Sequence, residues 1–560
     1  MIEFENVSFA YEGGCEALKE VNLHIEAGEF VLLCGPSGGG KSTLLMALNG
    51  LVPHFFQGQF SGQVLVDGLD TREHPVYELF TRVGLVFQNP DAQVFAGTVE
   101  RELAFGLESL GVERREMQER ITWAAQVTGI THILNRPPHF LSGGEKQLVV
   151  IAAMLALKPR VLALDEPFAH LDPAAVLRVV RALREINRLG VTVLVAEHRL
   201  HYVIPYASRI VVMKDGRVVM DGPPRQVLRE HLEEMGLNIP APVRLFRDLG
   251  LPEVPLSVEE AISLLEKHRP PHPSLPSSFP PYLLRKGKRS KDREDTPPAF
   301  PFVIKCQGVS FSFNGHEALR DVSLSVERGS ILAIVGANGA GKTTLVKHFN
   351  GLYKPHKGKV EVLGMDTRKV RVADLAAQVG LVFQNPYEQL FASSVREELE
   401  IGPRILGKRD ERWLAELIEL FDLKGLLERP PLLLSEGEKK RVAFASVIAT
   451  RPEIIVLDEP TAGQDEVSRR RLGKLLSQLR SRGHTVVLVT HDLEFAEENA
   501  GTWVVLGQGK VLAQGTPHEI MADEALMKAA ALVPTDSFVL HRFWAAAQPS
   551  PGSDANLLLE

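Results

Sequence analysis

The stretch Gly35-Pro-Ser-Gly-Gly-Gly-Lys41-Ser42 decides the fold of the first part of this chain, and Gly336-Ala-Asn-Gly-Ala-Gly-Lys342-Thr343 repeats it in the second part. Both fit G-x-x-x-x-G-K-[ST], a loop whose backbone N–H groups cradle phosphate. Each loop follows an apolar run, residues 30–34 or 331–335, and precedes a stretch with helical patterning. Two such units of strand, loop and helix predict an α/β chain with two nucleotide-binding domains.

The two loops carry most of the residues that are expected to contact a nucleotide. Lys41 and Lys342 reach the β and γ phosphate oxygens, and the hydroxyls of Ser42 and Thr343 bind Mg²⁺. The predicted nucleotide contacts are Gly35, Pro36, Ser37, Gly38, Gly39, Gly40, Lys41, Ser42 and Thr43 in the first loop and Gly336, Ala337, Asn338, Gly339, Ala340, Gly341, Lys342, Thr343 and Thr344 in the second.

Composition narrows the class of protein. The 560 residues carry a formal net charge of -7 with both signs mixed, which disfavours a nucleic-acid partner. The three cysteines form no CxxC pair, which indicates a reducing compartment and neither zinc nor a disulfide framework; Cys34 is expected in a core strand. No apolar run is long enough to cross a bilayer, and the first residues do not resemble a signal peptide, so the chain itself is expected in the cytosol.

The two parts of the chain form an internal repeat. Gln88-Asn-Pro90 corresponds to Gln384-Asn-Pro386, and each part ends in a predicted hairpin, at residues 209–220 and 503–513. An aromatic insert at residues 52–57 occurs in the first part only. The predicted organisation is a first domain at residues 1–235, a linker at 236–300, a second domain at 301–525 and a C-terminal tail at 526–560.

The linker begins with weak helical patterning and continues into a proline-dense, basic stretch. Proline at this density prevents a packed helix or central strand, so an extended linker is expected. The basic residues 285–291 have two interpretations, contact with anionic lipid headgroups or simple solvation. The acidic residues that follow at once favour solvation. No chemistry is assigned to the tail.

Two apolar runs end in acid pairs, Asp165-Glu166 and Asp458-Glu459. A hydrophobic strand delivers such an Asp to the C-terminal edge of the sheet, beside the phosphate loop, where open α/β sheets bind ligands. Asp165 and Asp458 are expected to hold Mg²⁺, and Glu166 and Glu459 to orient or deprotonate the attacking water. The alternative is an acid pair that only caps a helix.

The sequences Leu141-Ser-Gly-Gly-Glu145 and Leu434-Ser-Glu-Gly-Glu438 each open a helical run just before an acidic strand. A helix N-terminus of this kind favours an anion, because N–H groups and the positive end of the helix dipole point outward. In this order the motifs resemble the signature of the ATP-binding cassette family, over both repeats. Gln88 and Gln384 match the Q-loop, Asp172 and Asp465 the D-loop, His198 and His491 the switch histidine, and Tyr11 and Phe313 the aromatic residue that stacks on adenine. A histidine after a strand is otherwise more often a buried structural residue.

The resemblance implies a fold, a set of cofactors and a site. It implies two tandem P-loop NTPase domains, each with a RecA-like core, an antiparallel β subdomain and a helical signature subdomain, that form a head-to-tail dimer within one chain around two ATP molecules and Mg²⁺. One implied site combines Lys41, Ser42, Asp165, Glu166 and His198 with Ser435 and Gly437, and the other combines Lys342, Thr343, Asp458, Glu459 and His491 with Ser142, Gly143 and Gly144. The implied catalytic residues are Glu166, Glu459, His198, His491, Gln88 and Gln384, and the implied metal ligands are Ser42, Gln88, Asp165, Thr343, Gln384 and Asp458.

One residue departs from the family pattern. Glu436 stands where the family has its first signature glycine. A carboxylate there is expected to repel the γ-phosphate, and a Cβ to crowd the approach of the backbone. We therefore expect two hydrolytic sites with unequal rates.

The surroundings of the two Q-loops indicate the partner. The pattern Gln-Asn-Pro-x-x-Gln-[Val/Leu]-Phe, at residues 88–95 and 384–391, resembles the ATPases of energy-coupling factor importers, which take up vitamins and transition-metal ions. The resemblance implies an integral-membrane T-type scaffold, an S-type substrate-binding subunit, and a peripheral place at the cytoplasmic face of the cell membrane. Fused ATPases of this type are linked to uptake of the thiamine precursor hydroxymethylpyrimidine, or of thiamine. The alternative is that the helices after the Q-loops are ordinary amphipathic surface helices.

Two other classes share the nucleotide motifs. Tandem cassettes that act on ribosomes carry a long charged helical hairpin as linker, whereas prolines interrupt this linker. Genome-maintenance cassettes carry long coiled coils or zinc cysteines, and this sequence shows neither. A soluble tandem ATPase acting on ribosomes therefore stays as the alternative to an importer subunit.

Overall fold

The computed structural model describes residues 1–268, 301–313 and 315–547. These residues divide into two compact units, built mainly from residues 1–268 and from residues 301–538. The two parts of the sequence, 1–268 and 301–547, are called the first and second repeat below. The proline-dense and basic part of the predicted linker, and the last residues of the predicted tail, lie outside the described residues. Across the described ranges, no helix has the length and apolar character needed to cross a membrane.

The first repeat contains ten strands and ten α-helices. The strands are β1 (Ile2–Tyr11), β2 (Glu16–Ile25), β3 (Phe30–Cys34), β4 (Gly58–Val66), β5 (Leu69–Asp70), β6 (Val83–Val86), β7 (Val161–Asp165), β8 (Thr192–Ala196), β9 (Arg209–Lys214) and β10 (Arg217–Gly222). The helices are α1 (Lys41–Leu48), α2 (Leu51–His54), α3 (Val76–Leu79), α4 (Val99–Ser109), α5 (Arg114–Thr128), α6 (Gly143–Ala156), α7 (Pro173–Arg188), α8 (Pro224–Val227), α9 (Ala241–Asp248) and α10 (Val258–His268).

Six strands of the first repeat form one sheet in the order β10-β9-β3-β8-β7-β6, in which only the β9–β10 pair is antiparallel. Central parallel strands are covered on both faces, so they read as continuous apolar runs. All five residues of β3 are buried, and they alternate between two cores: Phe30, Leu32 and Cys34 face one, and Val31 and Leu33 face the other.

The order of strands in this sheet brings the predicted motifs together. Strands β3, β8, β7 and β6 are parallel neighbours, so their C-terminal ends lie at one edge of the sheet. The phosphate loop follows β3, His198 follows β8, Glu166 follows β7 and Gln88 follows β6. Four segments that are far apart in sequence therefore meet at the edge where open α/β sheets bind ligands.

A second, antiparallel sheet of the first repeat has the order β2-β1-β4-β5. Its apolar side chains share a core with one face of the six-stranded sheet and with α1. The helices α4, α5 and α6 pack on one another and contribute to the opposite core. Residues 237–254 add Leu237, Ile239, Val243 and Val254 to that same core.

The second repeat has the same architecture. Its strands are β11 (Phe302–Phe313), β12 (His316–Glu327), β13 (Ile331–Val335), β14 (Lys357–Val362), β15 (Met365–Asp366), β16 (Val379–Val382), β17 (Ile454–Asp458), β18 (Thr485–Thr490), β19 (Thr502–Gly507) and β20 (Lys510–Gly515). Its helices are α11 (Lys342–Val346), α12 (Val372–Ala376), α13 (Val395–Ile405), α14 (Glu411–Leu420), α15 (Glu436–Ala449), α16 (Glu466–Ser481), α17 (Leu493–Asn499), α18 (Pro517–Ala522), α19 (Glu524–Ala529) and α20 (Asp536–Ala547). The sheets run β16-β17-β18-β13-β19-β20 and β12-β11-β14-β15.

The structure confirms the predicted α/β fold with two tandem domains. The apolar runs before the phosphate loops and before the acid pairs are the strands β3, β13, β7 and β17, and the two terminal hairpins are β9–β10 and β19–β20. Cys34 is buried in its strand, as expected. The domain boundaries stay predictions. The packing of residues 237–254 extends the core of the first repeat past residue 235; α19 crosses the predicted start of the tail at residue 526, and α20 lies within the tail.

Candidate nucleotide-binding sites

Each phosphate loop is a tight turn between a buried strand and a helix. The loop of the first repeat joins β3 to α1, and the loop of the second joins β13 to α11. Glycine begins each loop because the backbone passes a neighbouring strand too closely for any side chain. A Cβ on Gly35 would lie 2.0 Å from the carbonyl oxygen of Met213, and a Cβ on Gly336 would lie 2.2 Å from that of Leu506. The close packing fixes the loop against the sheet.

The lysine of each loop is buried and folds back over its own loop. Lys41 Nζ donates to the carbonyl oxygens of Gly35 and Pro36, at 2.9 and 3.0 Å. Lys342 Nζ does the same with Gly336 and Ala337, at 2.8 and 3.2 Å. Burial lowers the pKa of Lys41, and the neighbouring carboxylates oppose that shift. Both ammonium groups therefore lie at the loop, where a phosphate would bring negative charge.

The acids that end β7 and β17 fit the role of a magnesium ligand. Burial raises the pKa of Asp165 and of Asp458 to about 6, and the hydroxyls of Ser42 and Thr343 oppose the shift. The Oδ1 atom of each Asp is buried and has no hydrogen-bond partner within the described part of the chain. A buried acceptor without a donor is costly, and Mg²⁺ takes oxygen ligands of this kind.

The residues present thus suit Mg²⁺ only with help from phosphate and water. In residues 1–268, 301–313 and 315–547 no group of three or more His, Cys, Asp or Glu side chains could hold a metal ion. Each site offers one carboxylate and one hydroxyl, which matches an ion that keeps several waters and binds substrate phosphates. Gln88 and Gln384, the other predicted ligands, lie after β6 and β16 at the same sheet edge.

In the first repeat the predicted catalytic glutamate is held by two side chains. Gln88 Nε2 donates to Glu166 Oε2 at 3.0 Å, and His198 Nε2 lies 3.1 Å from Glu166 Oε1. Burial acts to raise the pKa of Glu166, but the hydrogen bond and charge of His198 outweigh it and hold this pKa below its usual value. Glu166 is therefore a carboxylate that is oriented at both oxygens.

In the second repeat the equivalent glutamate makes different contacts. Glu459 Oε1 lies 3.5 Å from Lys342 Nζ, and Oε2 lies 2.8 Å from His491 Nδ1. Burial acts to raise the pKa of Glu459, but the charges of His491 and, to a lesser extent, Lys342 outweigh burial and lower this pKa to about 2. The second glutamate thus forms a buried ion pair with its own phosphate-loop lysine, whereas Gln384 is exposed. The two sites are chemically inequivalent in the structure.

Both glutamates have a backbone conformation that residues other than glycine rarely adopt. The φ angle is +45° at Glu166 and +48° at Glu459. The backbone N–H of each donates to a strand carbonyl, of Ala196 at 2.9 Å and of Val489 at 2.8 Å. Contacts with the neighbouring strand therefore hold the same unusual backbone conformation at the predicted catalytic position of both repeats.

The two signature serines cap helices. Ser142 caps α6 and Ser435 caps α15 through capping boxes, in which the side chain of Glu145 or Glu438 accepts from the N–H and hydroxyl of the serine. A Cβ on Gly144 would lie 2.6 Å from Ala175 Cβ, which requires glycine there. The capping box is the sequence pattern S-x-x-E, a signal that our sequence analysis did not use. The pairing of each signature with the opposite phosphate loop stays a prediction.

The D-loop acids also cap helices. Asp172 accepts from the N–H of Ala175 at the start of α7, and Asp465 accepts from the N–H of Ser468 at the start of α16. Both predictions of a nucleotide contact at these acids remain untested. The structure shows only that the carboxylates are already held by backbone donors.

The two predicted adenine-stacking residues differ in their surroundings. The hydroxyls of Tyr11 and Thr43 lie 3.0 Å apart, and the Tyr11 ring meets Phe56 of the aromatic insert edge-on at 6.4 Å. Phe313 is exposed and meets Tyr353 edge-on at 5.4 Å. The insert of the first repeat and Tyr353 of the second therefore lie beside equivalent aromatic residues. Stacking on adenine stays a prediction for both.

Two buried acids that our sequence analysis did not single out shape the segments after the Q-loops. Glu102 Oε2 accepts from the N–H groups of Phe95 and Ala96, at 3.0 and 2.7 Å. Glu398 Oε2 accepts from those of Phe391 and Ala392, both at 2.9 Å. The acidic residues of α4 and α13 are visible in the sequence, but the hydrogen bonds that Glu102 and Glu398 accept from the segments about seven residues earlier are visible only in the structure.

Both repeats match one known protein family. The family model described as "ABC transporter" matches residues 18–169 and 319–462, which together make up more than half of the chain. The chain belongs to the ABC transporter family. It is an ATPase with two tandem cassettes, and the first and second repeats are its first and second cassettes.

Two relatives match this chain over most of both lengths. A protein of Caldanaerobacter subterraneus subsp. tengcongensis named "Putative ABC transporter ATP-binding protein" is 36% identical over 528 residues, covering 92% of this chain and 91% of the relative. A relative of the same name from Methanosarcina mazei is 36% identical over 538 residues, covering 95% and 92%. The solved structure of cbiO1 from Clostridium perfringens, part of the ABC transporter complex cbiONQ, is 36% identical, covers 41% of this chain and 90% of its own, and has a TM-score of 0.38.

Proposed function

We propose that this ABC ATPase is the energy-coupling subunit of an importer of the energy-coupling factor type. It binds ATP with Mg²⁺ and couples hydrolysis to the uptake of a vitamin or metal ion, with a thiamine precursor as the first substrate to test. The partners are an integral-membrane T-type scaffold and an S-type substrate-binding subunit. The chain lies at the cytoplasmic face of the cell membrane as a peripheral protein.

The observation that carries this proposal is an exposed apolar patch after each Q-loop. In the first cassette Phe95 and Phe105 are more than half exposed, and their rings meet edge-on with centroids 4.6 Å apart. In the second cassette Phe391, at the position of Phe95, is 71% exposed, and Ile405 at the end of α13 is 76% exposed. Large apolar side chains that are exposed and touch one another, as Phe95 and Phe105 do, are typical of a surface that binds a partner.

The backbone beneath these side chains is held in place. Glu102 and Glu398 are buried, and each accepts two backbone N–H groups from the segment that carries Phe95 or Phe391. A rigid segment presents its phenyl ring to solvent at a fixed place, so little conformational entropy is lost when a partner covers it. This arrangement favours a groove for an apolar helix of a membrane subunit over an ordinary amphipathic surface.

The same segments connect the proposed docking surface to the nucleotide chemistry. Gln88 is seven residues before Phe95 and donates to Glu166, and in this proposal the Glu166 carboxylate orients the attacking water. Mg²⁺, when bound, would offset the negative charge of the phosphates, and Asp165 with Ser42 would hold it. Movement of the Q-loop on partner binding would thus change the position of Gln88 relative to Glu166.

Isolation of the complex in detergent tests the proposal. The chain is co-expressed with the T-type and S-type membrane proteins encoded nearest to it, and a tag on this chain is used for purification. We expect both membrane subunits to co-purify, and uptake of labelled hydroxymethylpyrimidine in cells that carry all three proteins. The double variant Phe95→Ser/Phe391→Ser should lose the membrane subunits and keep its basal ATPase activity.

The matched control is Leu189→Ser with Leu512→Ser, which removes two exposed apolar side chains away from the Q-loops. This control should retain the membrane subunits. Co-purification of the wild-type chain with ribosomes, and with no integral-membrane protein, would overturn the importer proposal and favour a soluble ATPase. A complex that forms but takes up a different vitamin or a metal ion would overturn only the choice of substrate.

A further inference from the structure

Glu436, which replaces a signature glycine, has specific partners in the structure. Its Oε1 atom accepts a hydrogen bond from the Tyr387 hydroxyl at 2.9 Å and lies 3.4 Å from Lys439 Nζ. Lys439 Nζ also donates to the Tyr387 hydroxyl at 2.6 Å and lies 4.4 Å from the centroid of its ring. The three side chains connect the start of α15 to the short turn after the Q-loop.

The central member of this group is a buried cation. The Lys439 side chain is only 6% exposed, whereas Glu436 is 57% exposed. A buried ammonium group is costly unless an anion and hydrogen-bond acceptors compensate it. Burial alone would lower the pKa of Lys439, but Tyr387 and Glu436 outweigh burial and keep this pKa above its usual value.

In the first cassette a different acid compensates the equivalent lysine. Lys146 is the counterpart of Lys439, and its Nζ lies 2.6 Å from Asp91 Oδ1. Asp91 stands at the position of Tyr387, and Gly143 at the position of Glu436. The compensating acid therefore lies on the Q-loop turn in the first cassette and on the signature motif in the second.

The first glycine position of the signature motif has room for an acidic side chain. A Cβ on Gly143 would lie 3.5 Å from its nearest neighbour, Leu171 Cδ2, which is ordinary van der Waals contact. In the second cassette Glu436 is at the first position of α15, where a carboxylate also interacts favourably with the helix dipole. Its charge is engaged by Tyr387 and Lys439, which reduces the repulsion of phosphate expected from the sequence.

We propose that Glu436 is a positioning residue, which compensates Lys439 through Tyr387 and so holds the second signature motif against its own Q-loop turn. Tyr387 has a hydroxyl where the first cassette has the carboxylate of Asp91, so the acid in the second cassette comes from another position. The link keeps Ser435 in fixed relation to Gln384. Asp91 and Lys146 provide the equivalent link in the first cassette without occupying the signature glycine.

Relocating the acid tests this proposal in the purified full-length chain, with MgATP as the substrate. Glu436→Gly restores the family residue but leaves Lys439 without an anion. We expect KM for ATP to rise about threefold to tenfold, the range for loss of one ordinary hydrogen bond, with kcat within about twofold. The double variant Tyr387→Asp/Glu436→Gly rebuilds the arrangement of the first cassette and should return KM to within about twofold of the wild-type value.

Two further variants keep the result interpretable. Tyr387→Phe retains the ring over Lys439 and removes only the hydroxyl, so it should raise KM by a smaller factor than Glu436→Gly does. Glu388→Ala removes an exposed carboxylate from the same turn, at a position where the first cassette has Ala92, and should leave KM unchanged. Thermal unfolding of each variant reports whether it is folded.

Three outcomes would overturn the proposal. They are a wild-type KM in Glu436→Gly, a double variant no closer to wild type than the single one, or an equal rise in Glu388→Ala. The proposal rests on the proposed nucleotide roles of Ser435 and Gln384 but on no membrane partner. Because the assay contains only the purified chain, failure of the importer proposal would leave these values unchanged.

Discussion

Substitution of Glu459 by Gln should destabilise the second cassette far more than the equivalent change destabilises the first. Glu459 is buried between Lys342 and His491, and its pKa of about 2 lies well below the value of 4.5 for an ordinary glutamate. A difference of about 2.5 pKa units corresponds to about 3 kcal/mol of folding free energy at pH 7. Glu166 contacts His198 and the neutral amide of Gln88 instead, so Glu166→Gln should cost less.

The sign of the pH dependence follows from the direction of the shift. Since folding lowers the pKa of Glu459, its stabilising contribution is complete above about pH 4.5 and is lost as the pH falls toward about 2. The difference in unfolding free energy between wild type and Glu459→Gln should therefore be constant from pH 8 to pH 6. It should narrow as the pH falls below about 4.5.

Tryptophan fluorescence in urea can follow the second cassette separately. Three of the four tryptophans, Trp413, Trp503 and Trp544, are in the second repeat, and only Trp123 is in the first. Unfolding curves are recorded without nucleotide or Mg²⁺ at several pH values. Equal losses in Glu166→Gln and Glu459→Gln, or a loss below about 1 kcal/mol in Glu459→Gln, would refute the buried ion pair as a source of stability.

Three other predictions follow from the same geometry. Glu166→Gln and Glu459→Gln should each reduce ATP turnover at their site by about 10² to 10⁴, and equal losses in steady-state assays would remove the predicted inequality of rates. Gly35→Ala should abolish binding of a fluorescent ATP analogue, because its Cβ would lie 2.0 Å from a backbone oxygen. Gly38→Ala, whose Cβ would have open space around it, should lose only a modest part of the affinity. Equal affinities of the two variants would contradict the steric argument. Burial raises the pKa of Asp165 to about 6, so the folded chain favours the protonated acid, and this contribution to stability is lost as the pH rises through about 6. Asp165→Asn should therefore raise the unfolding free energy of the nucleotide-free chain by up to about 3 kcal/mol at pH 8. A lower unfolding free energy of the variant in urea would refute this.

Much of the site was visible in the sequence because its signals are local. The spacing from Gly35 to Lys41 predicts a phosphate-binding loop, and the apolar run before Asp165 predicts a buried strand. Repetition of both signals in the second half made chance agreement improbable. The strands β3 and β13 have the bounds that the apolar runs predicted, and β7 and β17 end at the Asp of each acid pair.

The contacts that make the two cassettes different could not be predicted in this way. Glu166 and Glu459 both lie in the sequence Leu-Asp-Glu-Pro, yet one accepts a hydrogen bond from Gln88 and the other pairs with Lys342. Glu436 appeared in the sequence to be a repulsive intrusion, and its partner Tyr387 is 49 residues away.

The sequence by itself thus determined the family motifs, the tandem repeat and the identity of the nucleotide-loop residues, because each of these is written in the spacing of neighbouring residues. Only the tertiary structure decided which charges meet. The reason is physical: the pKa of a buried carboxylate and the compensation of a buried lysine depend on distances between side chains that the sheet and its helices bring together from distant segments. In the sequence Glu436 is only a departure from the signature motif, whereas in the structure it is the counter-ion of Lys439.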